Sequence, residues 1–133
     1  FWITLDEALK FVIFCMRDMQ GGELYVPKLK SSYINDLAKV INDKHKITYI
    51  GIRPGEKIDE TLISSDESQN VIEFKKYYLI SPSIQFYEIN NNFRMNSLNE
   101  KGKKVRRGFS FTSKNNKEFL NFEKLKTYYK SKA

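Results

Sequence analysis

Residues 47–57 read Ile47-Thr48-Tyr49-Ile50-Gly51-Ile52-Arg53-Pro54-Gly55-Glu56-Lys57. The alternation of β-branched and aromatic residues over 47–52 predicts a strand. A strand there delivers a Pro-Gly corner with a guanidinium and a carboxylate three residues apart. Pro54 fixes its own φ and biases Arg53 toward extended backbone, while Gly55 accepts whatever φ the corner needs. Arg53 can present a planar fork of donors to an anion such as a diphosphate, and Glu56 can accept hydroxyl hydrogens. A charged Pro-Gly corner is also an ordinary solvated loop, so the flanking sequence has to decide.

Upstream, Thr4 and Glu7 have the spacing of a capping box. Ala8, Phe11, Val12, Cys15, Met16 and Met19 then follow at helical spacing, predicting an amphipathic helix that ends at Gly21-Gly22. Residues 23–26 before Pro27 predict a short strand. Ser32 is a candidate start for a second helix, with Ile34, Leu37, Ala38 and Ile41 as its buried stripe. His45, the single histidine, has no second ligand at metal-binding spacing and reads as a surface residue. Downstream of the corner, 60–64 suits a short helix and 65–68 a turn. Residues 71–74 and 77–80 predict two strands, 90–92 a loop, and Asn121 a cap for a last helix over 122–129 whose shared face is Phe122, Leu125 and Tyr129.

The chain has 133 residues, 41% hydrophobic and 14% aromatic, enough for one compact domain with a modest core. No apolar run reaches the length of a spanning helix, and the apolar start lacks a secretion signal. Those features argue against a membrane partner and for a cytoplasmic location. Cys15 is the single cysteine, excluding an internal disulfide and a cysteine-rich zinc site; its helical position predicts a buried thiol. Charge is uneven: residues 1–74 carry nine Lys/Arg against twelve Asp/Glu, and residues 75–133 carry fourteen against four. The cluster Lys101, Lys103, Lys104, Arg106 and Arg107, with Phe109 and Phe111 beyond, has the ingredients of a nucleic-acid surface. Alternation with Ser110 and Thr112 equally fits a strand burying one face, with the cations in solvent or at a subunit contact.

Several stretches occur together in one enzyme family, in this order and at similar spacing: Phe1-Trp2-Ile3-Thr4-Leu5-Asp6-Glu7-Ala8, Gly21-Gly22-Glu23-Leu24-Tyr25-Val26-Pro27-Lys28, the Arg-Pro-Gly-Glu-Lys corner, and Glu60-Thr61-Leu62-Ile63-Ser64. The chain resembles the C-terminal part of the inverting UDP-N-acetylglucosamine 4,6-dehydratases, extended short-chain dehydrogenases/reductases. Leu98-Asn99-Glu100-Lys101-Gly102 and Phe109-Ser110-Phe111-Thr112-Ser113 resemble the tail of the pseudaminic-acid-pathway members. The fold this implies is α/β: a small substrate-binding lobe over 1–133, with 1–74 bearing the clamp and 75–133 a basic C-terminal extension. The Rossmann domain is expected to be absent from this chain, since no glycine-rich phosphate turn opens a helix.

The resemblance implies Arg53 on the diphosphate of a UDP-sugar, Glu56 on the ribose hydroxyls, and Lys28 near the nucleotide. It implies NADP for the full-length enzyme and none for this fragment, which alone is expected to be inactive, and a homo-oligomer when full length. The family usually carries a histidine where this chain has Asp59, which leaves the role of that position open. Two other readings remain: the lobe of a related capsule-sugar dehydratase or 4-epimerase, which shares the clamp, and a non-catalytic basic module binding nucleic acid or an acidic protein.

Overall fold

The computed structural model describes residues 1–44, 46–84 and 92–131, so His45 and most of the 90–92 loop lie outside the described residues. Three α-helices, α1 (Leu5–Asp18), α2 (Ile34–Ile41) and α3 (Phe122–Lys130), alternate with six short strands. The strands are β1 (Leu24–Pro27), β2 (Thr61–Ile63), β3 (Val71–Glu73), β4 (Tyr77–Ile80), β5 (Lys103–Lys104) and β6 (Phe111–Thr112). The mixed α/β class is as expected. The backbone falls into two compact units, one made of Leu5–Lys28 and Leu62–Phe111, the other of Phe1–Thr4, Leu29–Thr61 and Thr112–Ala133.

The first unit is built on an antiparallel sheet ordered β1-β4-β3-β5. Tyr25 and Ile72 both stand opposite Leu79, and Val26 and Glu73 opposite Tyr78, so each set shares one face of the pleat. On the first face Ile72, Phe74, Tyr77, Leu79 and Phe93 form the core, and Phe11 and Phe14 of α1 pack against it. Phe74 stacks on Tyr77 with centroids 4.7 Å apart, and Phe14 meets Tyr77 at 5.3 Å. On the second face Tyr78 packs on Phe109 and Phe111 at 5.1 and 5.3 Å. Covered on both sides, every residue of β4 is buried. Gly102 lies against this core so closely that a Cβ would sit 2.5 Å from Ile72 Cγ2 and 2.7 Å from Phe74 Cζ.

The second unit holds α2 and α3. Asn121 caps α3 by accepting the Lys124 amide at 3.0 Å, and Leu125 is fully buried, both as the sequence predicts. Ser31, also fully buried, exchanges backbone hydrogen bonds with Glu118 and Leu120, and its hydroxyl accepts from Asn116 Nδ2 at 2.7 Å. Trp2 meets Tyr128 edge-on at 6.5 Å while the Lys30 ammonium lies 4.2 Å over the same ring.

Four expectations need correction. Residues 47–52 form no strand; no ladder partner engages them among the described residues, and Tyr49, Ile50 and Ile52 stand exposed. Residues 61–63 are strand β2, paired with β6, in place of a helix, because alternating Thr61 and Ile63 suit a pleat whose inner residue, Ile63, is fully buried. Helix α1 turns a different face inward: Phe11, Phe14, Cys15 and Asp18 are half-buried or buried, while Val12, Met16 and Met19 are exposed. Helix α2 begins at Ile34 after Tyr33 and buries no residue completely; Leu37 and Val40 are half-buried, and Ile34 and Ile41 are exposed.

Candidate functional site

The corner at 53–56 has the marks of a type II turn: Pro at the second position, Gly55 at φ 86° in the third, and the Glu56 amide donating to the Arg53 carbonyl at 3.0 Å. Only glycine takes that φ without strain, which explains the Pro-Gly pair. The Glu56 side chain then closes the turn, its Oε2 accepting the Arg53 amide at 2.9 Å. Its Oε1 comes within 3.9 Å of Arg53 Nε. The two side chains the sequence singled out are therefore brought together.

Both remain in solvent, with side-chain exposures of 72% for Arg53 and 51% for Glu56. An exposed pair of this kind contributes at most about 1 kcal/mol, so it competes weakly with a ligand for the guanidinium. Among the described residues no other acceptor engages Arg53. The turn is a rigid surface element offering a cationic fork beside a carboxylate. Asp59, three residues on, is half-buried.

Lys28 has a different setting, in the sheet-bearing unit. Its ammonium is 2.6 Å from Glu73 Oε1 and 4.8 Å over the Tyr78 ring. With one carboxylate and one ring face already engaged, its charge is locally balanced.

Sequence reasoning missed a buried polar cluster at the end of α1. Asp18 is 5% exposed; Tyr25 and Tyr77 hydroxyls donate to its Oδ2 at 3.1 and 3.3 Å, and the Ser97 amide donates to Oδ1. Buried Asn96 donates to the Tyr77 hydroxyl at 3.2 Å. Burial first, and the Asp18 carboxylate after it, raise both tyrosine hydroxyls above their ordinary range, so each stays a donor. Burial, with a smaller push from Asp18, likewise raises the Cys15 thiol to about 11. The available signal was a lone acid four and seven residues after Phe14 and Phe11, on a face that buries.

A dinucleotide cofactor needs free backbone amides at a helix N-terminus. The Gly21-Gly22 turn does not offer them: the Gln20 and Gly21 amides donate to the Glu23 carboxylate, and the turn leads into β1. These residues do not fit a pyrophosphate. Among the described residues no group of His, Cys, Asp and Glu is arranged to hold a metal ion.

Fold and corner together define a mixed α/β chain that displays an Arg/Glu turn on its surface. The chain belongs to the family described as polysaccharide biosynthesis protein, which matches residues 1–82. It is 51% identical over 118 residues to a UDP-N-acetylglucosamine 4,6-dehydratase (inverting) of Campylobacter jejuni serotype O:2, covering 87% of this chain and 35% of that protein. A protein of the same name from serotype O:23/36 is 46% identical over 127 residues, covering 94% of this chain and 37% of its own length. The chain thus spans about a third of the length of these relatives. Among solved structures, the X-ray structure of Pen from Bacillus thuringiensis superposes with a TM-score of 0.72 at 25% identity, covering 97% of this chain and 36% of that one.

Proposed function

We propose that residues 1–133 are the substrate-binding part of an inverting UDP-N-acetylglucosamine 4,6-dehydratase, a lyase forming a 4-keto-6-deoxy UDP-sugar for pseudaminic acid or another surface glycan. The observation that carries this reading is the likeness to the two Campylobacter dehydratases through the stretch that builds the Arg53/Glu56 turn. In it, residues 1–74 hold the clamp and 75–133 are a basic extension. The enzyme is cytoplasmic, a homo-oligomer, and uses NADP, whose site lies outside these residues.

The chemistry asks this part to hold the nucleotide while the sugar is oxidised, dehydrated and reduced at carbons distant from the uridine diphosphate. Arg53 takes the diphosphate, where a planar fork suits paired phosphate oxygens. Glu56 takes ribose hydroxyls through the lone pairs that its turn hydrogen bond leaves open. Lys28 is an outer neighbour of the nucleotide, its charge shared with Glu73. Holding the substrate by remote contacts keeps reactive intermediates bound through several steps.

The test is to incubate the longer enzyme containing this segment with UDP-N-acetylglucosamine in deuterated water and to identify the product by NMR. The reading expects a 4-keto-6-deoxy sugar with inverted, deuterated C5. A C4 epimer retaining its C6 oxygen would overturn it in favour of an epimerase.

A further inference from the structure

We infer that the hairpin and edge strand spanning 94–107 form a peripheral docking surface for an anionic phospholipid membrane. The first observation is charge. Arg94, Lys101, Lys103, Lys104, Arg106 and Arg107 are all exposed, and among the described residues none has a carboxylate partner. The one acid within the stretch, Glu100, is occupied internally, accepting the Lys75 amide at 2.6 Å and Asn96 Nδ2 at 3.4 Å. Strand β5 is an edge of its sheet, so no further strand covers Lys103 and Lys104, which stand opposite Glu73 and Ile72 and project to the two faces of that edge.

The second observation is the hairpin tip. Asn96, buried, accepts the Leu98 and Glu100 amides on its Oδ1 at 3.0 and 2.8 Å, and the Ser97 amide is held by Asp18. Asn99 completes the turn at φ 59°. With its neighbours pinned on both sides, Leu98 is held out into solvent at 72% exposure. Met95, bridged to Lys101 across the hairpin, is 38% exposed. An aliphatic side chain fixed outward in a stretch rich in exposed cations matches the boundary between headgroups and acyl chains.

A single-stranded nucleic acid would instead call for exposed aromatic faces. Here Phe93 and Phe111 are buried, and Phe109 and Phe111 are packed on Tyr78. No helix among the described residues is long and apolar enough to cross a membrane; the contact is one of surface adsorption, which the sequence expectation of no membrane partner, drawn from the lack of a spanning run, does not address.

The test is co-sedimentation of the longer enzyme containing this segment with phosphatidylcholine vesicles with and without phosphatidylglycerol. Binding to the anionic vesicles alone, weakened by salt, is expected. Each cation removed should weaken it about fivefold, so Lys101→Gln/Lys103→Gln should bind roughly 25-fold less well, and Leu98→Asp should weaken it independently. If the lysine pair variant loses its circular-dichroism spectrum, Arg94→Gln/Arg106→Gln replaces it. Absence of anionic-vesicle binding, or unchanged binding in Leu98→Asp and the cation variants, overturns the inference. So does displacement from vesicles by an oligonucleotide whose own binding ignores Leu98→Asp, which would make the surface one for nucleic acid.

Discussion

Replacing Asp18 by alanine should be among the most damaging single changes in the chain. The carboxylate accepts from Tyr25, Tyr77 and Ser97, but the Tyr25 hydroxyl also has Glu23 Oε1 at 3.2 Å and can turn to it. Two donors lose this acceptor: the buried Tyr77 hydroxyl, and the amide of exposed Ser97, whose bond is part-buried. The buried hydroxyl orphan costs about 1–3 kcal/mol while water can replace part of the Ser97 contact, so the loss is at least about 1–3 kcal/mol, a fall in Tm on the order of 5–10 °C for a chain of this size. Urea unfolding followed by circular dichroism measures the total, and amide hydrogen exchange at Ser97 gives a local readout that should accelerate in step. Adding Tyr77→Phe to Asp18→Ala removes the hydroxyl orphan but also the acceptor of buried Asn96 Nδ2, so the two effects offset and the double variant should recover little. A loss below about 1 kcal/mol would refute the reasoning.

Gly102→Ala forces a methyl to within 2.5 Å of Ile72 Cγ2 and 2.7 Å of Phe74 Cζ, both buried; overpacking of this kind should destabilise the chain by about 1–3 kcal/mol in denaturant unfolding. The Cys15 thiol, raised to about 11 from 9.0, should react with iodoacetamide at neutral pH roughly a hundredfold more slowly than an unperturbed cysteine. Its rate should climb with pH until the thiol ionises near 11, and a plateau already reached at pH 9 would contradict the raised value.

How far the fold could be read from sequence depended on whether local pattern or long-range pairing decided each element. Val71–Glu73 and Tyr77–Ile80 were legible because β-branched and aromatic residues crowd there between turn residues. Helix α3 was legible because Asn121 is a strong cap and Leu125 lies on its only apolar face. Helix α1 has two apolar faces: Leu5, Leu9, Val12, Ile13 and Met16 make a second stripe, exposed, opposite Phe11 and Phe14. Periodicity alone cannot choose between two apolar faces; the ring contacts of Phe11 and Phe14 with Tyr77 do. The 47–52 run has strand composition but no partner edge among the described residues, and a strand exists only through its ladder. At the candidate site, the proximity of Arg53 and Glu56 was readable because a Pro-Gly turn is a local structure. The Lys28–Glu73 pair, between β1 and β3 across β4, was not.

The central claim is that the Arg53/Glu56 turn grips the nucleotide end of an activated sugar, and titrating UDP into the longer enzyme and its Arg53→Ala variant tests it most directly. Losing a charge-assisted contact of about 1.5–3 kcal/mol should weaken UDP binding by about ten- to a hundredfold, with the melting temperature unchanged because the side chain is 72% exposed. Equal affinity in the two proteins would remove Arg53 from the site and contradict the account.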